Sequence, residues 1–291
     1  MVAALTDPPI AVARHDSPLG RWEMASRPPH PMLRGHVRDY CGYLEATPRP
    51  LRRREVPSTD ITLIISFGPT IDVSDPGDIE RASNVRISFV AGLHDGPVLT
   101  QHAGFQHGVE VKLTPLGARR LLGVPMHALV NRVVALDDLL GRQAGELTER
   151  LYDAPDWAAR FDLLDVAIAT RVAASLPPSP GVVFAWGRLR QTHGMLPVAA
   201  LAQELGWSRR HLAAQFRDHV GVPPKLLARI LRFDRVVARL RREDPERWAE
   251  VAYDCGYYDQ AHFNRDFRQF AGATPTAFLA SRLPDSGGFA G

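Results

Sequence analysis

The spacing of apolar positions changes twice along the chain. Between 39 and 114, short runs of β-branched and aromatic residues at 40–44, 61–67, 85–90 and 105–113 are separated by Pro, Gly and Asp. Runs of that length between turn formers predict antiparallel strands in a barrel or sandwich. After Pro115 the apolar residues recur three and four apart, at Ala118, Leu121 and Leu122, then in 136–140, 147–151 and 157–176, which predicts helices. Pro177, Pro178, Pro180 and Gly181 break this pattern, so 177–183 reads as a linker. The class is therefore α+β. Residues 1–176 form an N-terminal β-barrel or sandwich with following helices, 184–283 an all-α domain, and 284–291 a disordered tail.

Beyond the linker one arrangement occurs twice. Leu201, Ala202, Gly206, Trp207, Ser208, Leu212, Phe216, Gly221 and Pro224 are echoed by Ala252, Gly256, Tyr257, Asp259, Phe263, Phe267, Gly272, Thr274 and Pro275. The offset is 50 residues up to the turn and 51 after it, so the second turn carries one inserted residue. Each copy predicts a short helix, a glycine at positive φ, a Ser or Asp cap, and a second helix with one buried face. That is helix-turn-helix grammar. Between the copies, Leu226, Leu227, Ile230, Leu231, Phe233, Val236, Val237 and Leu240 predict a helix of about 18 residues, roughly 27 Å long. Such a helix holds two heads apart at close to the ~34 Å between successive major-groove faces.

Charge follows the same division. Residues 184–291 carry 16 basic against 11 acidic side chains, and residues 1–183 carry 19 against 21. The basic surface lies on the unit with the repeated motif. The two cysteines, Cys41 and Cys255, are too few and too far apart in sequence for a disulfide framework. The start of the chain, rich in Pro and interrupted by Asp7, Arg14 and Asp16, has no secretory apolar core, and the longest apolar runs are strand-sized. These features predict a cytoplasmic protein with no membrane partner.

Residues 184–283 resemble the DNA-binding domain of the AraC/XylS family of bacterial transcription regulators. The resemblance rests most on the second copy, where Gly256, Tyr257, Asp259, His262, Phe263, Arg265, Phe267, Gly272, Thr274 and Pro275 stand at the family spacing. It implies double-stranded DNA as a partner, RNA polymerase as a second, and transcription regulation, activation included, whose sign depends on operator position. Two departures stand out: Ala214 replaces an Arg usual in the first recognition helix, and Leu279 a basic residue after the closing Thr-Pro. The candidate DNA-contacting residues of the first head are Ser208, Arg209, Arg210, Ala213, Ala214 and Arg217. Those of the second are Asp259, Gln260, Ala261, Asn264, Arg265 and Arg268. Gln260 and Arg265 are the best base readers, since amide and guanidinium groups bond adenine and guanine bidentately. Ala213 and Ala214 suit thymine methyl groups. Arg217, Asn264 and Arg268 suit phosphates, and His262 packing or capping.

The N-terminal half resembles the family's sensor half in architecture alone, which implies a small-molecule effector, a homodimer interface, or both. Phe67, Phe89, Phe105 and His107 are candidate lining residues for a ligand, weighed against ordinary core. His94, His102, His107 and Glu110 lack the close His pair of a metal triad. Cys41 invites comparison with relatives that accept alkyl groups on a zinc-bound cysteine, but two cysteines do not make that site. The Arg52, Arg53, Arg54 run reads as a charged, solvated strand edge. No phosphate loop, nucleophile elbow or cofactor motif is present, and nothing supports an enzyme. A ligand-independent regulator with a dimerisation module, or an enzyme fused to a DNA-binding unit, remain alternatives.

Overall fold

A computed structural model of the chain describes residues 9–74, 84–242, 247–283 and 288–291. Its strands are β1 (Ala11–Ser17), β2 (Gly20–Arg27), β3 (Val37–Ala46), β4 (Leu51–Glu55), β5 (Ile61–Ser66), β6 (Ile71–Ser74), β7 (Asn84–Arg86), β8 (Phe89–Ala91), β9 (Val98–His102), β10 (Phe105–Leu113) and β11 (Val133–Ala135). They form a seven-stranded sheet in the order β1-β2-β3-β10-β5-β8-β11 and a four-stranded sheet in the order β4-β9-β6-β7. Every ladder is antiparallel.

Side chains alternate across each strand, so one face of the large sheet can pack while the other lines a space. On β10, Val109, Val111 and Leu113 are fully buried, whereas Gln106, Glu110 and Lys112 point between the sheets. The register sets Cys41 opposite Glu110 and Asp39 opposite Lys112, so β3 gives Asp39, Cys41, Tyr43 and Glu45 to the same interior. Helices α1 (Pro115–Leu122), α2 (Leu136–Leu140), α3 (Arg142–Asp153) and α4 (Trp157–Ala174) belong to the outer layer. At Gly42 a Cβ would lie 2.3 Å from the Trp157 ring, so only glycine lets α4 come this close to the sheet. Arg27, 2% exposed, ties β2 to α4 by reaching Asp162 at 2.5 Å and Asp165 at 2.8 Å. Tyr40 donates its hydroxyl to the same Asp165.

The helices that follow are α5 (Pro180–Gln191), α6 (Val198–Glu204), α7 (Arg209–His219), α8 (Pro224–Leu240), α9 (Trp248–Asp254), α10 (Gln260–Ala271) and α11 (Pro275–Ala280). The expected linker shortens. Pro180 and Gly181 are the first residues of α5, capped by Ser179, because Pro at a first helical position lacks only an N–H that would be unsatisfied anyway. The interruption is 175–179.

The expected disordered tail is also corrected. Residues 284–287 lie outside the described residues, but Phe289 is buried with its ring stacked 3.9 Å from Phe278. Its carbonyl accepts from Arg54 N, and Ala290 bridges to Arg53. This extended end occupies the edge of β4, which is how the edge is protected. The arginine run on β4 is accordingly not a solvated edge. Arg53 reaches Glu45 at 2.5 Å and Arg54 donates to the Ala271 carbonyl at 3.0 Å.

The apolar core divides inside α8 rather than at the linker. One continuous cluster runs from the outer face of the large sheet through α1–α4 into Val182, Leu189, Leu201, Leu212, Phe216, Leu227 and Leu231. A second gathers Ile230, Phe233, Val236, Leu240, Phe263, Phe267, Phe270 and Phe278. The first helix pair is thus fused to the N-terminal unit, with Asp218 3.5 Å from Arg119. The second pair touches that unit through Arg54 and through Gln269, which donates to the Asp95 carbonyl.

Candidate nucleic-acid interface

Both copies of the repeated motif fold as paired helices by the same local chemistry. Gly206 and Gly256 adopt φ of 66° and 81°, which a side chain rarely tolerates, and so turn the chain after α6 and α9. Ser208 then accepts from His211 N at 3.1 Å, and Asp259 from His262 N at 2.6 Å, which starts α7 and α10. Leu212 and Phe216, and Phe263 and Phe267, are fully buried, so the opposite faces are left to solvent. The inserted residue is Tyr258: Trp207 and Tyr257 occupy equivalent places, and Tyr258 precedes the second cap with 93% of its surface exposed.

On α7, Arg209, Arg210, Ala214 and Arg217 are exposed and Ala213 half-buried. On α10, Gln260, Ala261, Arg265 and Arg268 are exposed and Asn264 half-buried. The cap residues Ser208 and Asp259 spend a side-chain oxygen on the backbone while remaining on the surface. His262 faces inward, its ring 5.3 Å from Tyr257 and its Nε2 3.6 Å from Asp266. Arg282 bonds the Leu240 carbonyl at the end of α8.

The second head is clamped to α8. Asp266, 3% exposed, accepts from Arg229 at 2.7 and 3.1 Å, and Arg229 also reaches Gln269 while lying over the Phe270 ring. Arg265 and Asp266 are neighbours, so the clamp fixes the face on which Arg265 stands. Sequence reasoning passed over the exposed Tyr253 and Tyr258 beside this helix. The one-residue change of offset is the signal in the sequence that could have located Tyr258.

The second feature is a lumen of about 760 Å³ between the two sheets, closed on one side by Asp234 and Val237 of α8 and by Arg241 at its C-terminal cap. Of the four lining candidates, Phe89 lies on it. Phe67 and His107 are on the helix-packed side with Tyr152 and Trp157, and Phe105 is 42% exposed. Of the candidate metal residues, His94, His102 and Glu110 line the lumen, while His107 lies on the helix-packed side. His102 is buried 3.7 Å from Glu45, and burial holds it below the usual imidazole range. Burial, with Glu110 nearby, pushes the Cys41 thiol up to about 11, so it is kept protonated rather than nucleophilic. Among the described residues no helix is long and apolar enough to cross a membrane.

Residues 201–281 match a family profile described as a helix-turn-helix domain, and residues 25–135 match one described as a domain of unknown function (DUF6597). Over 167 residues the chain is 26% identical to the probable thc operon regulatory protein of Rhodococcus erythropolis. That match covers 50% of each, so the chain spans about half the length of the curated relative it matches. ToxT from Vibrio cholerae overlays with a TM-score of 0.48 and 12% identity over 83% of this chain and 98% of its own. A ToxT structure with an unsaturated fatty acid bound gives 0.45 and 12% over 81% and 96%. The C-terminal domain of AraT, a response regulator from Geobacillus stearothermophilus, gives 0.34 and 22% over 38% and 92%. With two glycine-turned, capped helix pairs on one connecting helix and the profile matched across both, residues 201–281 are a helix-turn-helix domain of the kind that AraC/XylS transcription regulators carry.

Proposed function

We propose that the protein is a cytoplasmic, sequence-specific transcription regulator that sets α7 and α10 into successive major-groove segments and is controlled by a small molecule in the lumen. The observation that carries this reading is the pair of capped helices with exposed Arg faces at the two ends of α8, whose 17 residues span about 25 Å. Arg265 and Gln260 read bases in the second half-site, while Arg268, Arg217 and Asn264 hold phosphates. Ser208, Arg209, Arg210, Ala213 and Ala214 face the first half-site, and Asp259 and Ala261 flank the readers of the second. Tyr258 adds an aromatic hydroxyl beside the second head. RNA polymerase and a second copy of the chain are the expected protein partners, and the protein performs no reaction of its own. The lumen favours ligand control over a purely structural N-terminal unit, because its lining includes α8, the element between the heads.

Titration of the full chain against its upstream DNA and a scrambled duplex at two salt concentrations tests this. Arg265→Ala should cost about 1–3 kcal/mol on the specific duplex alone, and Arg268→Ala should weaken both duplexes and lower the salt slope by about one. If both variants scaled specific and non-specific binding equally, Arg265 would not be a base reader.

A further inference from the structure

The lumen is unusual in its charge. Among the described residues its lining holds six carboxylates, Asp39, Glu45, Glu55, Asp60, Glu110 and Asp234. Only Arg38, Arg53, Lys112 and Arg241 oppose them there. Arg53 pairs with Glu45, and Arg38 lies 2.8 Å from Asp60. Lys112 is drawn to Glu110, which raises its affinity for its proton. Arg241 is then shared between Glu55 and Asp234. Arg190 of α5 stands near Asp60 and Asp234 without lining the cavity, and even with it the balance stays negative.

Burial pushes the Asp39, Glu55, Asp60 and Asp234 carboxyls upward, as expected where charge is desolvated without enough cations. Glu55 lines the cavity with its side chain exposed and accepts from the Thr100 hydroxyl at 3.3 Å. One wall is apolar, built on Ile71, Val73 and Phe89. Trp22 and Tyr43 supply further aromatic surface, and the buried Tyr43 hydroxyl has no hydrogen-bond partner. The volume is that of ordinary small-molecule sites, about 300–1,000 Å³.

We propose that this lumen binds a small organic cation, an amine or quaternary ammonium on an apolar body, with the positive group among Glu55, Asp234 and Asp39. The inference rests on the ligand-controlled reading above and names the ligand class. A cation completes the charge balance that the protein leaves open, and aromatic faces add cation–π attraction. A carboxylate amphiphile would add a seventh negative group to the same space.

The test uses the full chain and four probes of one length below micelle formation: octylamine, octyltrimethylammonium, octanol and octanoate, followed by calorimetry. Both cations should bind at least about tenfold more tightly than octanol, and octanoate more weakly still. Glu55→Gln and Asp234→Asn should each lower cation affinity about five- to tenfold and leave octanol unchanged. Asp137→Asn, on the exposed surface of α2, should change nothing, and circular dichroism confirms that each variant folds. Octanoate binding as tightly as octylamine, or cation binding indifferent to both lumen variants, overturns the proposal. Adding DNA separates the two readings. Cation binding that leaves DNA affinity untouched keeps the ligand class and removes the regulatory reading. Octanoate binding that alters DNA affinity does the reverse, and no binding by any probe removes both.

Discussion

Replacing Asp266 by Ala removes the carboxylate that holds α10 to α8 and leaves the Arg229 guanidinium with Gln269 and the Phe270 face. Breaking a fully buried ion pair by deleting one partner costs about 3–5 kcal/mol. Arg229 keeps 24% of its side-chain surface, so water recovers part of its solvation and the expected loss is about 2–3 kcal/mol. At ~2–4 °C per kcal/mol for a unit of this size, the melting temperature should fall by about 5–10 °C. Denaturant unfolding of the wild type, Asp266→Leu, Arg229→Met and the double variant Arg229→Met/Asp266→Leu measures the coupling, with Asp266→Ala followed alongside. The double variant should recover most of the loss, because an apolar pair of similar volume replaces the desolvated charges. DNA affinity should follow stability, since Arg265 sits on the helix that the pair orients. A loss below about 1 kcal/mol for Asp266→Ala, or a double variant as damaged as the single, would refute the clamp.

Gly206→Ala should cost about 1 kcal/mol, the strain of φ near 66° with open space around the new methyl group. Gly256→Ala should cost more, because its Cβ would also stand 2.8 Å from Met195 Cγ, and thermal melts of the two variants compare them directly. The pH dependence of stability should contain two opposed parts. Carboxyls raised by burial in the fold, Glu55 and Asp234 among them, favour the folded state when protonated, so their contribution is lost as pH rises from the ordinary carboxylate range through their folded values. His36, His102, His107 and His219, held neutral by burial, act the other way and lose stability as pH falls through the ordinary imidazole value. The carboxyl part is therefore read as the difference in melting temperature between wild type and Glu55→Gln/Asp234→Asn, which should shrink on acidification; for Glu55 the surrounding charges are Glu110, Arg53 and Arg241, and for Asp234 they are Arg38, Arg241, Lys112 and Arg190.

The heads were legible because their signals are local. A glycine at positive φ, a cap three residues before the N–H it satisfies, and aromatic residues four apart need no knowledge of the rest of the chain. Tyr258 shows how far that reaches: the change of offset marks the insertion, but its exposure depends on Tyr257 taking the packing position against Phe263. The lumen was hidden for the opposite reason. On β10, Gln106, Glu110 and Lys112 between Val109, Val111 and Leu113 read like the wet face of an antiparallel sheet. What encloses them is a second sheet of strands as distant as β4 and a helix more than a hundred residues away. His107 and Phe67 misled because the covering Trp157 and Tyr152 come from α3 and α4. The sharing of one core by the first head and the N-terminal unit is likewise long-range, since Leu212 and Phe216 look the same whether they pack on a partner helix or on a neighbouring domain.

Helix α8 has three different faces, and under the proposed function it is where sensing and DNA binding meet. Leu227 and Leu231 belong to the core shared with the N-terminal unit, Phe233, Val236 and Leu240 to the second head, and Asp234, Val237 and Arg241 line the lumen. A ligand beside Asp234 therefore touches the element that sets the heads relative to each other. It changes DNA affinity only if it binds the DNA-competent arrangement more or less tightly than the other. Such coupling is reciprocal. The factor by which a lumen ligand changes the DNA dissociation constant must equal the factor by which operator DNA changes that of the ligand, and for an allosteric pair it should fall between about 5 and 150. Val237→Ala, which trims the α8 wall without altering charge, should reduce both factors together. Equal factors above one would place the coupling in this helix and its neighbours. Unequal factors would mean that the ligand acts on assembly of the chain rather than on a one-to-one complex with DNA.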